Sequence, residues 1–330
     1  MIVGPHSTIR PDVSVIVPLH RDGKLFRECL DRCLRMSVDT RFEVICVSDH
    51  DVSSLPVEVL LVRTGSTVDT SPAVKRDVGE KVARGDFMAF IDDDAYPRSD
   101  WLDVALAALA DPTVAAVGGP GVTPIESPWR ERLGGAVYES PLGSGPLRFR
   151  FVPLEPARDS DDLPAYCLVV RRGALRAVGG WQSTFYGGED TKLCLALVSS
   201  GFRLRYIPDM VVYHHRRAIF RPHLRQVANV GFHRGFFVKK YPRTSRRVLY
   251  FLPVAATLGA LAFAGLWVIF ALRAPLLLSA MAIGAWLVLS ATALRAAGAA
   301  ALAFPVILFC HHLWYGLSFL RGLATRELRT

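Results

Sequence analysis

Three consecutive carboxylates, Asp92, Asp93 and Asp94, close the apolar run Phe87-Met88-Ala89-Phe90-Ile91. Five apolar residues following Gly85-Asp86 read as a buried parallel strand, and Pro97 is expected to stop further pairing. Adjacent like charges repel, so the triplet does nothing for packing. Beside a divalent cation the repulsion is relieved, because hard cations take carboxylate oxygens as ligands. Ligand crevices of open α/β sheets lie at the carboxyl ends of their strands. The stretch therefore reads as a metal site for a phosphorylated substrate, with a solvated acidic turn as the plain alternative. A second acidic pair, Glu189-Asp190, follows Gly187-Gly188 and opens an expected helix over 191–200, which Asp190 has the chemistry to cap.

The elements that must position these groups alternate in type. Strands are expected over 13–18, 42–47, 57–62 and 114–117, the second ending in Ser48-Asp49-His50-Asp51. Helical spacing runs over 22–35 through Leu25, Phe26, Cys29, Leu30, Cys33 and Leu34, and again over 100–109. Ser71 and Pro72 supply an N-cap and a first helical residue for a helix reaching Gly85. Such alternation with short connections argues for a parallel sheet covered on both faces. Gly118-Gly119-Pro120-Gly121 breaks the pattern, and the Gly-, Pro- and Arg-rich region up to Pro164 reads as long loops that shape a site. Regular structure resumes over 166–170, and short strands are expected over 202–207 and 210–214.

Of the 330 residues 51% are hydrophobic, and the excess is concentrated over 248–320, interrupted only by Arg273, Arg295 and His311-His312. The chain thus reads as a soluble domain followed by a membrane anchor. Met1 to Pro11 contain no apolar h-region, so no cleavable signal peptide is expected and the soluble part should stay in the cytosol. The six cysteines form no CxxC pair and read as reduced, buried thiols.

Taken in order, several segments resemble the family-2 glycosyltransferases, enzymes of the GT-A fold that use nucleotide-sugar donors. They are the strand ending in Pro18, the segment from Val47 to Asp51, Ser71-Pro72-Ala73-Val74-Lys75-Arg76, Phe90-Ile91-Asp92-Asp93-Asp94-Ala95, Val178-Gly179-Gly180-Trp181, Gly188-Glu189-Asp190 and Val212-Tyr213-His214. The similarity covers residues 13–241. It implies that Asp92 and Asp94 are the two carboxylates of a DxD motif flanking Asp93. Asp94 would ligate Mn²⁺ or Mg²⁺ and Asp92 would face the ribose or the metal's waters. His214 matches a late histidine that completes the metal site, and a structural strand-end histidine is its alternative. Pro18, Asp49 and Asp93 fall among the donor-binding positions, although Ser48-Asp49 stands where the family has paired acids, which leaves the base open. Lys75 and Arg76 suit a diphosphate from the start of their helix, unless they lie on a solvated face.

The same resemblance makes Asp190 the general base that takes the acceptor hydroxyl's proton, with Glu189 orienting the acceptor or Asp190, so that configuration is inverted. A nucleoside diphosphate leaves only when its developing charge is neutralised, which a metal does as a Lewis acid.

From Arg203 to Arg247 there are twelve Lys or Arg against one acid, Asp209. Aromatic and basic residues interleave over 220–237. Nucleic acid would accept such a mix, but its place just before a hydrophobic tract favours an interfacial helix on anionic lipid. In related membrane-attached transferases this region closes over the donor, making Arg225, Gln226 and Arg234 further donor-binding candidates. Spans are expected over 248–272, 274–294 and 297–320, each long enough for a core of about 30 Å. Arg243, Arg246 and Arg247 put the first span's start on the cytosolic side. Three crossings would then leave Arg321, Arg326 and Arg329 outside, unless one segment is re-entrant or interfacial.

The expected fold is α/β: a GT-A (Rossmann-like) nucleotide-sugar-binding domain over 1–219, a basic amphipathic interfacial segment over 220–247, and a C-terminal α-helical transmembrane region of about three spans with a short basic tail over 248–330. The expected activity is inverting, metal-dependent transfer of a sugar from a nucleoside diphosphate to a hydroxyl of a lipid-linked or cell-envelope glycan. The site would face the cytosol on a multi-pass protein of the cell membrane, with lipid and no nucleic acid among its partners, and with oligomers possible. A polyprenyl-phosphate sugar synthase is the rival, because a phosphate acceptor needs no base. A processive synthase and a non-catalytic membrane scaffold stand further off.

Overall fold

Val13–Pro18 (β1) and Phe42–Ser48 (β2) are buried at every residue, as strands covered on both faces must be. The chain around them is described by a computed structural model over residues 1–183, 187–271 and 275–327. Lys24–Leu34 (α1) follows β1, and Val59–Arg63 (β3) follows β2. Pro72–Val82 (α2) starts as its sequence signals require: the Ser71 hydroxyl accepts from the Val74 amide at 3.4 Å and Pro72 is the first helical residue. Then come Phe87–Phe90 (β4), Ala95–Pro97 (β5), Trp101–Ala108 (α3), Val114–Gly118 (β6) and Gly121–Val122 (β7). The rest of the chain holds Trp129–Glu139 (α4), Pro141–Ser144 (α5), Arg158–Ser160 (β8), Leu168–Arg171 (β9), Arg172–Ala177 (α6), Glu189–Ser199 (α7), Arg203–Tyr206 (β10) and Val212–His214 (β11). It continues through Arg221–Lys240 (α8), Pro242–Ser245 (α9), Val248–Ala271 (α10), Pro275–Thr292 (α11), Leu294–Ala297 (α12) and Phe304–Ala324 (α13).

The main sheet has the order β3-β2-β1-β4-β9-β6-β10-β8. It is mixed, where an all-parallel sheet was expected. β9 lies antiparallel between β4 and β6, and β8 runs antiparallel to β10 at the edge. Alternation along the chain announces parallel neighbours, but β9 arrives after a long excursion through α4, α5 and β8 and can enter the slot in either sense. A second sheet has the order β5-β11-β7. Pro97 does not end pairing there, because it sits opposite Val212 in the edge strand β5, where a proline is tolerated.

Two compact units divide the chain. One comprises Met1–Val122 and Phe149–His215, and the other comprises Thr123–Arg148 together with the residues from Arg216 onward. This differs from a single cut at 219, since 123–148 belongs with the C-terminal helices. In the first unit the core gathers Val15, Val17, Phe26, Phe42, Trp101 and Val169. In the second, α4 replaces what reads as loop. Its centre is Gly134-Gly135, poor helix formers in isolation, but a Cβ on Gly135 would lie 2.3 Å from Thr123 Oγ1. Packing selects glycines that propensity disfavours. Among the described residues one helical stretch, Gly298–Ala324, is long and apolar enough to cross a membrane. The expected first two spans fall on α10 and α11, and residues 272–274 between them lie outside the described residues.

Candidate active site

β4 ends at Phe90, and its chain turns through the acids, the Ala95 amide bonding to the Asp92 carbonyl at 3.1 Å. That turn aims successive carboxylates in different directions. Asp94 is 8% exposed, and its Oδ1 lies 3.1 Å from Nε2 of His214, the last residue of β11. The pairing of β5 with β11 sets His214 opposite Ala95. The strand ladder thus delivers an imidazole from 120 residues away onto the acid turn. One ligand atom from each of Asp92, Asp94 and His214 falls within a group spanning 4.8 Å, and this set could hold a metal ion. Two carboxylates and an imidazole are the donor chemistry of a divalent cation such as Mn²⁺ or Mg²⁺. The acidic-turn alternative does not account for a buried imidazole placed among them.

Asp93 takes no part in that group. Its Oδ2 accepts from the His20 amide at 2.7 Å. Burial and the neighbouring Asp94 charge push its carboxyl up to about 6. Pro18 ends β1 within the buried sheet, two residues before that amide.

Lys75 and Arg76 lie on no solvated face: they are 3% and 1% exposed, and both are held by carboxylates. Lys75 Nζ lies 2.8 Å from Asp49 Oδ2 and donates to the Leu19 carbonyl at 2.7 Å. Asp49 also accepts from the Thr64 and Thr70 hydroxyls and the Thr70 amide, at 2.6, 2.9 and 2.9 Å. Burial works to raise its pKa, but Lys75 and these donors outweigh it and hold the carboxyl well below the usual range.

Arg76 spans two elements. Its Nη2 donates to Asp92 Oδ1 at 2.6 Å and its Nη1 reaches Glu189 Oε1 at 3.2 Å. The guanidinium also lies over the Trp181 ring at 4.5 Å, and Trp181 in turn meets Phe90 edge-on at 5.0 Å. Burial opposes the charge on Arg76, yet Asp92 and Glu189 raise its pKa on balance.

α7 begins at Glu189, with Gly188 as its N-cap at φ +84°, so the helix starts two residues before the expected Thr191 and Asp190 is not its cap. A left-handed backbone there suits glycine. Glu189 Oε2 accepts from the Gly187 amide at 3.0 Å. Asp190 is half-buried, and its Oδ1 accepts from the Thr191 amide at 2.7 Å. The structure thus brings Asp92, Arg76 and Glu189 into one bonded chain beside Asp94 and His214, with Asp190 next in sequence. Arg225, Gln226 and Arg234 are on α8, in the other compact unit.

Sequence reasoning passed over Tyr166. Its ring tilts against His214 with centroids 4.5 Å apart, and its hydroxyl donates to the Arg150 carbonyl at 2.7 Å. A Cβ on Gly121 would lie 2.5 Å from that ring. Only the glycine spacing upstream hinted at so close an approach.

A family model described as glycosyltransferase like family 2 matches residues 11–229. A pre-mycofactocin glycosyltransferase of Mycobacterium tuberculosis is 31% identical over 229 residues, 69% of this chain and 47% of the relative. This chain therefore spans about half the length of that relative. At 20% identity, a Methanococcus voltae protein named dolichyl N-acetyl-alpha-D-glucosaminyl phosphate 3-beta-D-2,3-diacetamido-2,3-dideoxy-beta-D-glucuronosyltransferase matches over 245 residues, 69% of this chain and 74% of its own. In fold, a mannosyltransferase from Pyrobaculum calidifontis, solved with GDP-Man and Mn²⁺, superposes with a TM-score of 0.61 at 19% identity, covering 97% of this chain and 89% of that one. With a mixed GT-A sheet, an acid turn at the end of β4 and a family match over 11–229, the chain belongs to glycosyltransferase family 2.

Proposed function

We propose that this protein is an inverting, metal-dependent glycosyltransferase. It moves a sugar from a nucleoside-diphosphate sugar to a hydroxyl of a lipid-linked or cell-envelope glycan, at the cytosolic membrane face. The observation that carries this reading is the convergence of Asp92, Asp94 and His214 within 4.8 Å at the carboxyl end of β4. A Mn²⁺ or Mg²⁺ held there by Asp94, His214 and Asp92 would supply Lewis-acid neutralisation of the diphosphate leaving group. Support for a nucleotide-sugar donor comes from family membership and from the fold shared with a GDP-Man complex. Support for a lipid-linked acceptor comes from the dolichyl phosphate sugar in the name of the Methanococcus relative.

Arg76 fixes the Asp92 carboxylate and cancels part of its charge, so the acid turn does not fly apart before the donor binds. Through Glu189 the same guanidinium fixes the first turn of α7, and thereby the backbone that carries Asp190. Asp190 takes the acceptor hydroxyl's proton as that oxygen bonds to the anomeric carbon and the bond to the diphosphate oxygen breaks. Attack from the face opposite the leaving group inverts the configuration. Lys75, held against Asp49, stabilises the loop after β2 rather than reaching for a phosphate.

The test is thermal shift and donor hydrolysis of the detergent-solubilised chain across a panel of nucleotide sugars with Mn²⁺, Mg²⁺ or EDTA. One donor should stabilise the protein, and EDTA or Asp94→Ala should abolish the effect. Absence of a shift with every donor at millimolar concentration, with and without polyprenyl phosphate, would sink the enzyme reading. Asp190→Asn should abolish transfer to a hydroxyl. Retention of most activity with polyprenyl phosphate as acceptor would reassign the protein to a polyprenyl-phosphate sugar synthase.

A further inference from the structure

α13 lies in the apolar stretch long enough to cross a bilayer, and within its own unit it packs on apolar side chains of α4 and of the start of α10 and also along the strongly basic helix α8. Phe304, Ile307 and Leu308 pack on Leu133, Ala136 and Val137 of α4, a helix that also bears Arg130, Glu131 and Arg132. Beyond that point α13 runs beside α8. His223 and His311 meet at 3.2 Å near one end, and Lys239 Nζ donates to the Thr325 carbonyl at 2.6 Å at the other. Between them the backbones touch. A Cβ on Gly231 would lie 2.5 Å from the Tyr315 carbonyl oxygen, one on Gly235 2.0 Å from that of Phe319, and one on Gly322 2.0 Å from that of Phe232. Residue numbers rise together in both helices, so the pair is parallel and side by side.

α8 cannot share a hydrocarbon depth with a spanning helix. Its 20 residues include Arg221, Arg225, Arg234, Lys239 and Lys240 and no acid. Arg234 lies well inside its length and is 7% exposed, so it does not snorkel to water. The outward face of α13 tells the rest. Val306, Phe309, Trp314, Leu317 and Leu320 recur at helical spacing, each at least 40% exposed. Exposed Arg225, Lys239, Lys240 and Arg321 lie on the same two helices. An apolar face flanked by cations is the pattern of a helix lying in the headgroup region of an anionic bilayer.

We propose that α8 and α13 form a single parallel platform lying in the membrane interface, with the Phe309–Trp314–Leu317 face of α13 dipped below the lipid headgroups, and that only α10 and α11 cross. This inference rests on the membrane attachment argued above. At about 1.5 Å per residue, the 24 residues of α10 reach roughly 36 Å, beyond a core of about 30 Å, and the 18 of α11 reach roughly 27 Å, at the short end of the spanning range. Two crossings return the chain to the side it left. Arg321 and Arg326 then share a side with Arg243, Arg246 and Arg247, and the conflict with the positive-inside tendency disappears.

Topology decides the matter. In the full chain carrying Cys310→Ser, single variants Arg243→Cys, Arg273→Cys and Arg326→Cys are treated with a membrane-impermeant maleimide in sealed inverted vesicles and in intact spheroplasts. Positions 243 and 326 should label from one face and 273 from the other. Labelling of 326 from the face opposite 243 would overturn the platform and restore three crossings. A nitroxide on Trp314→Cys should report headgroup-level depth by power saturation, and a depth at the bilayer centre would overturn it too. Should alkaline carbonate strip the protein from vesicles, the membrane attachment itself falls, an outcome distinct from a wrong topology.

Discussion

Arg76 donates to Asp92 at 2.6 Å, and the same guanidinium reaches on to Glu189 at 3.2 Å, so one side chain of α2 ties the acid turn after β4 to the first turn of α7. Arg76→Met should leave two carboxylates without their shared cation. Stability should fall by about 3–5 kcal/mol, the usual cost of breaking a buried pair. Turnover should drop by about 100-fold or more. Arg76→Lys keeps the charge but not the fork that spans two acids. It should recover much of the stability and little of the rate. Urea titration and steady-state kinetics of the two variants separate these effects, and equal recovery of both would mean that charge alone matters.

Lys75 and Asp49 form a second buried pair, 4% and 0% exposed at their side chains. Lys75→Met alone should cost about 3–5 kcal/mol, because it strands a charge. Adding Asp49→Asn removes that charge while keeping an acceptor for Thr64 and Thr70, and should restore roughly half of the loss. Additive single effects in the double-mutant cycle would deny the coupling. The Asp49 carboxyl is held below its unfolded value, so its contribution is complete above about pH 4 and disappears as pH falls further. Asp49→Asn should therefore flatten the acid limb of the stability profile.

Tyr166 seats the His214 imidazole, and Gly121 makes room for Tyr166. Groups that orient a metal ligand typically matter by about 10–100-fold in metal affinity. Gly121→Ala and Tyr166→Ala should each weaken Mn²⁺ binding by about 10-fold, measured by EPR of free Mn²⁺ or by calorimetry. Tyr166→Phe keeps the ring, loses only the bond to the Arg150 carbonyl and should bind nearly as the parent does. Unchanged affinity in Gly121→Ala would rule out a seating role.

His223 in α8 is fully buried, faced by Tyr138 of α4, His311 of α13 and the charge of Arg216. Burial first, and Arg216 second, lower its pKa from 6.5 to about 4. The unfolded chain therefore binds the proton more readily between these values, and stability should rise with pH from about 4 to 6.5, by up to about 3 kcal/mol. His223→Gln should remove most of that slope in pH-dependent thermal denaturation. An unchanged slope would place the acid sensitivity elsewhere.

The chain's own pattern determined the strand–helix alternation of the first half, the capped start of α2, and the acid turn at the end of β4. These are local matters, set by periodicity, by turn residues and by the repulsion of adjacent charges. Tertiary structure alone decided the rest. The antiparallel entry of β9, the glycine-centred α4, and the β5–β11 ladder that carries His214 to Asp94 all depend on partners distant in sequence. The same is true of charge. Lys75 and Arg76 read as cations awaiting a phosphate, yet each is already held by carboxylates that spacing could not reveal. Hydropathy made α13 a membrane span, whereas the glycine contacts with α8 give that helix a charged companion. Sequence specifies what a segment can bury, and only the packed chain specifies what it is buried against.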